Sequence, residues 1–188
     1  MEPVRCGVFL CLMKIAYADP PYIGAAKKHY RNHPDYAGEV DHPELIGRLV
    51  DEYPDGWALS LSAKSIQYIL SICPPDVRVL AWVKPYHGFL AGIRMQYGWE
   101  PVIMRGGRQG RHITGSPVTL DWLKASPEGF TFRSMPEGHV TGKKPKAFCY
   151  WLFQCMGLQS GDEFDDLFPG TGAVGRAWEK WCNQLQLV

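Results

Sequence analysis

Lys14-Ile15-Ala16-Tyr17-Ala18-Asp19-Pro20-Pro21-Tyr22 decides how this chain is read. A short apolar run leads straight into an acidic residue, two prolines and an aromatic ring. Such a run reads as a buried strand. The prolines fix φ and lack an amide donor, so they stop the strand in a rigid turn. That turn presents one carboxylate, free carbonyl oxygens and an aromatic face at fixed spacing. The set suits a planar ring bearing an exocyclic amine, whose hydrogens point at Asp19 and a carbonyl while the ring stacks on Tyr22. A second turn, Asp166-Leu167-Phe168-Pro169-Gly170-Thr171-Gly172, gives it a counterpart near the other end of the chain.

Outward from the first turn, strand and helix patterns alternate. Asp41-His42-Pro43-Glu44 combines an N-cap, a proline in the first turn and a glutamate at the third helical position. It opens a helix with Leu45, Ile46, Leu49, Val50 and Tyr53 on one face, and Pro54-Asp55-Gly56 ends it. Residues 57–61 form a short strand. Ser62 caps the next helix, which carries Ile66, Ile69, Leu70 and Cys73 at helical spacing, and residues 77–83 read as a fully buried strand. Two strand–helix–strand units in succession predict a parallel sheet with helices on both faces. A further strand is expected at 101–105. Residues 106–142 are rich in Gly, Pro, Ser and Thr, with at most a short helix at 118–124. Pro145 opens an apolar helix that Gly157 stops; a strand at 163–168 and a helix at 173–185 flank the glycine turn. Trp122, Trp151, Trp178 and Trp181 fall in helical patterns and read as packing residues.

With 188 residues and 46% hydrophobic content, the chain is long enough for one domain with its own core, residues 1–188. The loop-rich insertion at 106–140 is placed to recognise a target. A net charge of +1 excludes a global field for nucleic acid, leaving local clusters. Lys27 and Lys28 follow the first turn, and Arg105, Arg108 and Arg111 sit among glycines that let a loop follow a phosphate backbone. Six cysteines without a C-x-x-C pair read as buried free thiols of a reducing, cytoplasmic protein, and the histidines show no metal-ligand spacing. Residues 1–18 imitate a secretory leader, but Lys14 interrupts the apolar run. No stretch approaches the about 20 apolar residues needed to cross a bilayer.

Gly170 and Gly172 let a ligand approach the backbone, and the helix beyond offers free amides to a carboxylate or phosphate. The segment is neither a phosphate loop nor a dinucleotide fingerprint, since no acidic residue follows about 20 positions later. Taken with the first turn and the Lys144-Pro145 pair, it resembles the motif set of S-adenosylmethionine-dependent DNA amino-methyltransferases acting on adenine N6 or cytosine N4. The order matches their permuted class, in which D-P-P-Y precedes the cofactor motif D-x-F-x-G-[ST]-G. Trp99-Glu100-Pro101-Val102-Ile103 resembles that family's H-E-x strand with Trp99 in place of His, and Thr141-Gly142-Lys143-Lys144-Pro145 resembles its T-x-K-P segment.

The resemblance implies an α/β fold, a Rossmann-like methyltransferase sheet flanked by helices, and partners S-adenosylmethionine and DNA. It implies a catalytic turn of Asp19, Pro20, Pro21 and Tyr22. It places Asp166, Phe168, Gly170, Thr171, Gly172, Lys144 and Pro145 on the cofactor's methionine part, and leaves the five basic residues to the nucleic acid. The Asp-Pro-Pro-Tyr form resembles the adenine-N6 enzymes; the cytosine-N4 enzymes more often begin with Ser. The chain departs from the family where two more strands should follow the glycine turn, one carrying an acidic partner for the ribose. Only sixteen residues follow Gly172. A sheet reduced at that edge is therefore expected, with the cofactor site completed by other residues, a homodimer or a partner subunit. A non-catalytic methyltransferase-like subunit is the alternative, as is an acceptor in RNA, cytosine or a protein amide.

Overall fold

In chain order the elements are β1 (Lys14–Ala18), α1 (His42–Glu52), β2 (Gly56–Ser60), a single 3-10 turn (Ala63–Ser65), α2 (Ile66–Ile72) and β3 (Arg78–Val83). There follow β4 (Trp99–Gly106), β5 (Trp122–Lys124), α3 (Lys146–Met156), β6 (Glu163–Asp166) and α4 (Ala173–Leu185). They come from a computed structural model that describes residues 12–24, 38–85, 91–110, 118–126 and 143–185.

Local chemistry sets the element ends. The Asp41 carboxylate accepts the Glu44 amide at 3.0 Å and starts α1, whose Leu45, Ile46 and Leu49 are buried. Ser62 caps the 3-10 turn rather than α2 itself. Gly157 ends α3 at φ 67°, its amide donating to the Gln154 and Phe153 carbonyls. A side chain there would be strained, and its Cβ would also stand 2.8 Å from Cβ of Arg108.

The six strands form one sheet in the order β5-β3-β4-β2-β1-β6. β1 pairs in parallel with both β2 and β6, and β5 in parallel with β3. The expected parallel arrangement is interrupted at β4, which runs antiparallel between β2 and β3. The Lys84 amide donates to the Gly98 carbonyl at 2.8 Å and joins the neighbouring ends of β3 and β4.

Alternating side chains send the two faces of β1 into different cores. Ile15 and Tyr17 pack with Phe148, Trp151, Leu152 and Phe153 of α3 and Val174 and Ala177 of α4. Ala16 and Ala18 pack with Leu45, Ile46 and Leu49 of α1 and Ile69 of α2. Helices therefore flank both faces.

Three expectations need correcting. Residues 118–124 hold no helix: Trp122–Lys124 is a strand, and Trp122 is exposed rather than packed. β3 is not buried throughout: Leu80 and Trp82 are buried toward α3, while Arg78 and, on the other side, Val79 are exposed. The strand at 101–105 extends to Trp99–Gly106. Trp151, Trp178 and Trp181 do pack in the α3/α4 core. β6 is the sheet edge, and among the described residues no strand pairs on its outer side. No described helix is long and apolar enough to cross a membrane.

Candidate active site

β1 and β6 lie side by side, with Tyr17 opposite Asp166 and the Leu167 amide donating to the Tyr17 carbonyl at 2.9 Å. The turn after β1 and the turn after β6 thus leave the same end of the sheet. From there the chain parts: α1 covers one face and α4 the other. In an open α/β sheet a crevice forms where successive connections diverge in this way, outside the strand C-termini.

On the β1 side, Lys144 donates from Nζ to Asp19 Oδ2 at 2.6 Å. Lys144 is almost wholly buried, with the Trp82 and Phe148 rings each 5.8 Å from its ammonium. Burial raises the Asp19 carboxyl above its ordinary range; Lys144 opposes this, and the Glu100 charge adds to it. Tyr22 donates its hydroxyl to Glu100 Oε2 at 3.0 Å, and Lys84 holds the other oxygen of Glu100. The Lys84 ammonium also stands 4.4 Å from the centre of the Trp82 ring. Burial, reinforced by Asp19 and Glu100, pushes the Tyr22 hydroxyl well above its ordinary value, so it stays a donor. Two ammonium groups, each paired with a carboxylate, thus stand near one indole ring.

On the β6 side, both carboxylate oxygens of Asp166 are buried and have no hydrogen-bond partner among the described residues. Burial pushes this carboxyl up to about 6; the Asp19 charge adds to the rise, while the nearby Phe168 amide and Lys144 offset part of it. Its neighbour Asp165, by contrast, accepts the Tyr53 hydroxyl at 2.7 Å. A buried carboxylate without a partner is costly unless a cation completes it. In the turn that follows, Gly170 and Gly172 have φ of 46° and 69°, and Pro169, Gly170 and Thr171 are exposed. A Cβ on Gly172 would stand 2.9 Å from the Arg176 guanidinium. An unpartnered carboxylate beside an open glycine turn fits the amino-acid end of S-adenosylmethionine, which carries an ammonium group.

The structure thus brings Asp19, Tyr22, Lys144 and Asp166 to one end of the sheet. It also adds Glu100, Lys84 and Trp82, to which sequence reasoning gave no firm role. The Trp99-Glu100 match pointed at the first of these; nothing in a strand pattern marked Trp82. Lys27, Lys28 and Arg111 lie outside the described residues. Arg105 and Arg108 do not join the site. Because β4 runs antiparallel, Arg105 stands opposite Trp57, near the start of β2 and thus at the far end of the sheet. Its Nε donates to both oxygens of Asp76, at 2.9 and 3.0 Å. Arg108 donates to the Gly157 carbonyl and to buried Asp162 Oδ1 at 2.6 Å. Asp162 also accepts the amides of Met13 and Gln159, so Arg108 completes a structural clamp.

Solved structures share this architecture, two of them as follows. The chain matches the crystal structure of the M1.HpyAVI–SAM complex with a TM-score of 0.59 at 17% identity, over 91% of this chain and 79% of that one. It matches a crystal structure of M1.HpyAVI with a TM-score of 0.56 at 15% identity, over 91% and 77%. The fold is that of a Rossmann-like methyltransferase sheet. No family model and no curated protein matches the chain in sequence.

Proposed function

We propose that this chain binds S-adenosylmethionine and transfers its methyl group to the exocyclic N6 amine of adenine in DNA. One observation carries the reading: the Asp19 turn and unpartnered Asp166 stand at the C-terminal ends of adjacent strands, where the chain diverges to opposite faces. The likeness to a protein solved with SAM supports the same assignment.

Asp166 would take the ammonium of the cofactor's methionine part, and Phe168, Gly170, Thr171, Gly172, Lys144 and Pro145 would hold the rest of that part. The cofactor supplies an electrophilic methyl group on a sulfonium. The chain's own work is positioning and electrostatics. Asp19 and the Pro20 carbonyl accept the two amine hydrogens, which turns the nitrogen lone pair out of the ring plane. Lys144 holds Asp19 still and favours its ionised form. Tyr22, tethered through its hydroxyl to Glu100, offers its ring as a stacking face. A base within a duplex cannot reach such a turn, so the adenine must be extruded or unpaired. After transfer the nitrogen sheds one proton, and Asp19 is placed to accept it.

The test is methyl transfer from labelled cofactor to matched oligonucleotides: DNA with adenine, DNA with cytosine as its only amino base, and RNA. The expected result is label on adenine-containing DNA, falling about 10²–10³-fold in Asp19→Ala. Label on cytosine or RNA would replace the acceptor. Undiminished transfer by Asp19→Ala, or no cofactor binding at all, would refute the mechanism.

A further inference from the structure

At the end of the sheet that holds Tyr22, the face turned away from α3 carries aromatic and basic side chains that the transfer step does not use. Lys124, Val83 and Trp99 stand abreast on β5, β3 and β4; Trp122, Ala81 and Pro101 form the next row. Residues opposite one another in register project to the same side of a sheet, so Trp99, Trp122 and Lys124 share this face. The α3 side of β3 is sealed by Leu80 and Trp82. Here, however, Trp122 is 49% exposed, Trp99 38% and Tyr97 42%. Lys64 lies 5.0 Å from the centre of the Tyr97 ring, and Arg94 and Lys124 are exposed nearby in the chain. The neighbouring carboxylates turn the other way: Glu100 stands opposite buried Trp82, and Asp121 lies within electrostatic reach of Cys155 on α3.

Single exposed rings are ordinary, but three within one short span, edged by cations and with no carboxylate between them among the described residues, are not. Trp99 directly precedes Glu100, the residue that holds Tyr22, so the patch lies at the same end of the sheet as the candidate base site, on the opposite face. We infer that this face is a stacking platform for unpaired nucleotides flanking the target base. Their rings would lie on Trp99, Tyr97 and Trp122, and their phosphates would run past Lys64, Arg94 and Lys124. Stacking needs an unpaired base with a free face, which is why the strand engaged there is single. This inference rests on the nucleic-acid part of the proposed function.

The test is fluorescence anisotropy with a labelled single-stranded DNA of mixed sequence and its duplex, without cofactor, for wild type, Trp99→Ala, Trp122→Ala and the corresponding Phe variants. Single-strand binding should weaken about tenfold in each alanine variant and largely recover with phenylalanine. Lys124→Ala should lower the dependence of affinity on salt by about one counterion. Thermal melts serve to show that the variants are folded, as expected for exposed positions. Affinity unchanged within about twofold in both alanine variants, or binding of duplex alone, would overturn the platform. The two readings fail separately. Tryptophan-dependent binding by a protein that transfers no methyl group would leave the platform standing. Methyl transfer with an unaltered KM in both alanine variants would leave the enzyme standing and remove the platform.

Discussion

Asp166 and Asp19 are both buried carboxyls on one end of the sheet, yet they differ in what neutralises them. Asp19 has Lys144 at 2.6 Å; Asp166 has no hydrogen-bond partner among the described residues. Ionising Asp166 therefore costs the free protein stability. With its carboxyl raised from 3.8 to about 6, the stability it contributes is complete below about pH 4 and is lost as pH rises through about 6. Asp166→Asn should raise the stability of the cofactor-free protein at pH 8 by about 1 kcal/mol, allowing for solvent screening. The same variant should bind cofactor more weakly. Wild-type affinity should fall as pH drops below about 6, by at most about tenfold per unit, because only the ionised carboxylate pairs with an ammonium. Calorimetry across pH 5 to about 8 checks both, and a pH-independent affinity would detach Asp166 from the cofactor. Lys144 acts in the opposite sense by lowering the Asp19 carboxyl. Lys144→Met should move the acid limb of the pH–rate profile to higher pH and cost about 2–3 kcal/mol in urea denaturation. An unmoved acid limb would mean that Asp19 does not titrate in the rate.

Among the elements, the junction of β2 with β4 tolerates no side chain. A Cβ on Gly106, at φ 69°, would stand 2.5 Å from the Asp55 carbonyl, and one on Gly56 would stand 2.6 Å from the Gly107 amide. Gly106→Ala should lose about 2 kcal/mol or more, from a left-handed backbone and a clash together, as measured by chemical denaturation. At the same end, Asp162 gathers Arg108 and the amides of Met13 and Gln159, tying α3, β4 and β1. Asp162→Ala should cost about 3 kcal/mol, since it takes the buried carboxylate away from the Arg108 guanidinium and from two amides. Arg108 was read in sequence as a phosphate contact because arginine among glycines looks like a basic loop. Its acidic partner is distant in the chain, and no local pattern announces it. β5 shows the same limit. Trp122 sits in a stretch with helical spacing, but three residues pairing with β3 outweigh a weak local preference.

For the whole molecule, much of the architecture was legible because its signals are local and strong. The Asp41 cap, the Pro145 and Gly157 ends of α3 and the apolar run before Asp19 each specify an element where it stands. What stayed hidden was direction and company. An apolar strand reads alike in either direction, so the antiparallel insertion of β4 left no trace in the pattern. The ion pair of Lys144 with Asp19 and the tether of Tyr22 through Glu100 to Lys84 depend on pairings that only the folded sheet creates. The two motif turns nonetheless lie together, because turns that leave adjacent parallel strands stand at one end of the sheet.

That meeting can be seen directly in a crystal structure of the chain with a non-transferable analogue of S-adenosylmethionine. The account predicts the analogue's ammonium about 3 Å from the Asp166 carboxylate. It also predicts the methyl-donor position turned toward Asp19, between the β1 and β6 turns. An analogue seated elsewhere, or one lying between those turns with its reactive end directed away from Asp19, would contradict it.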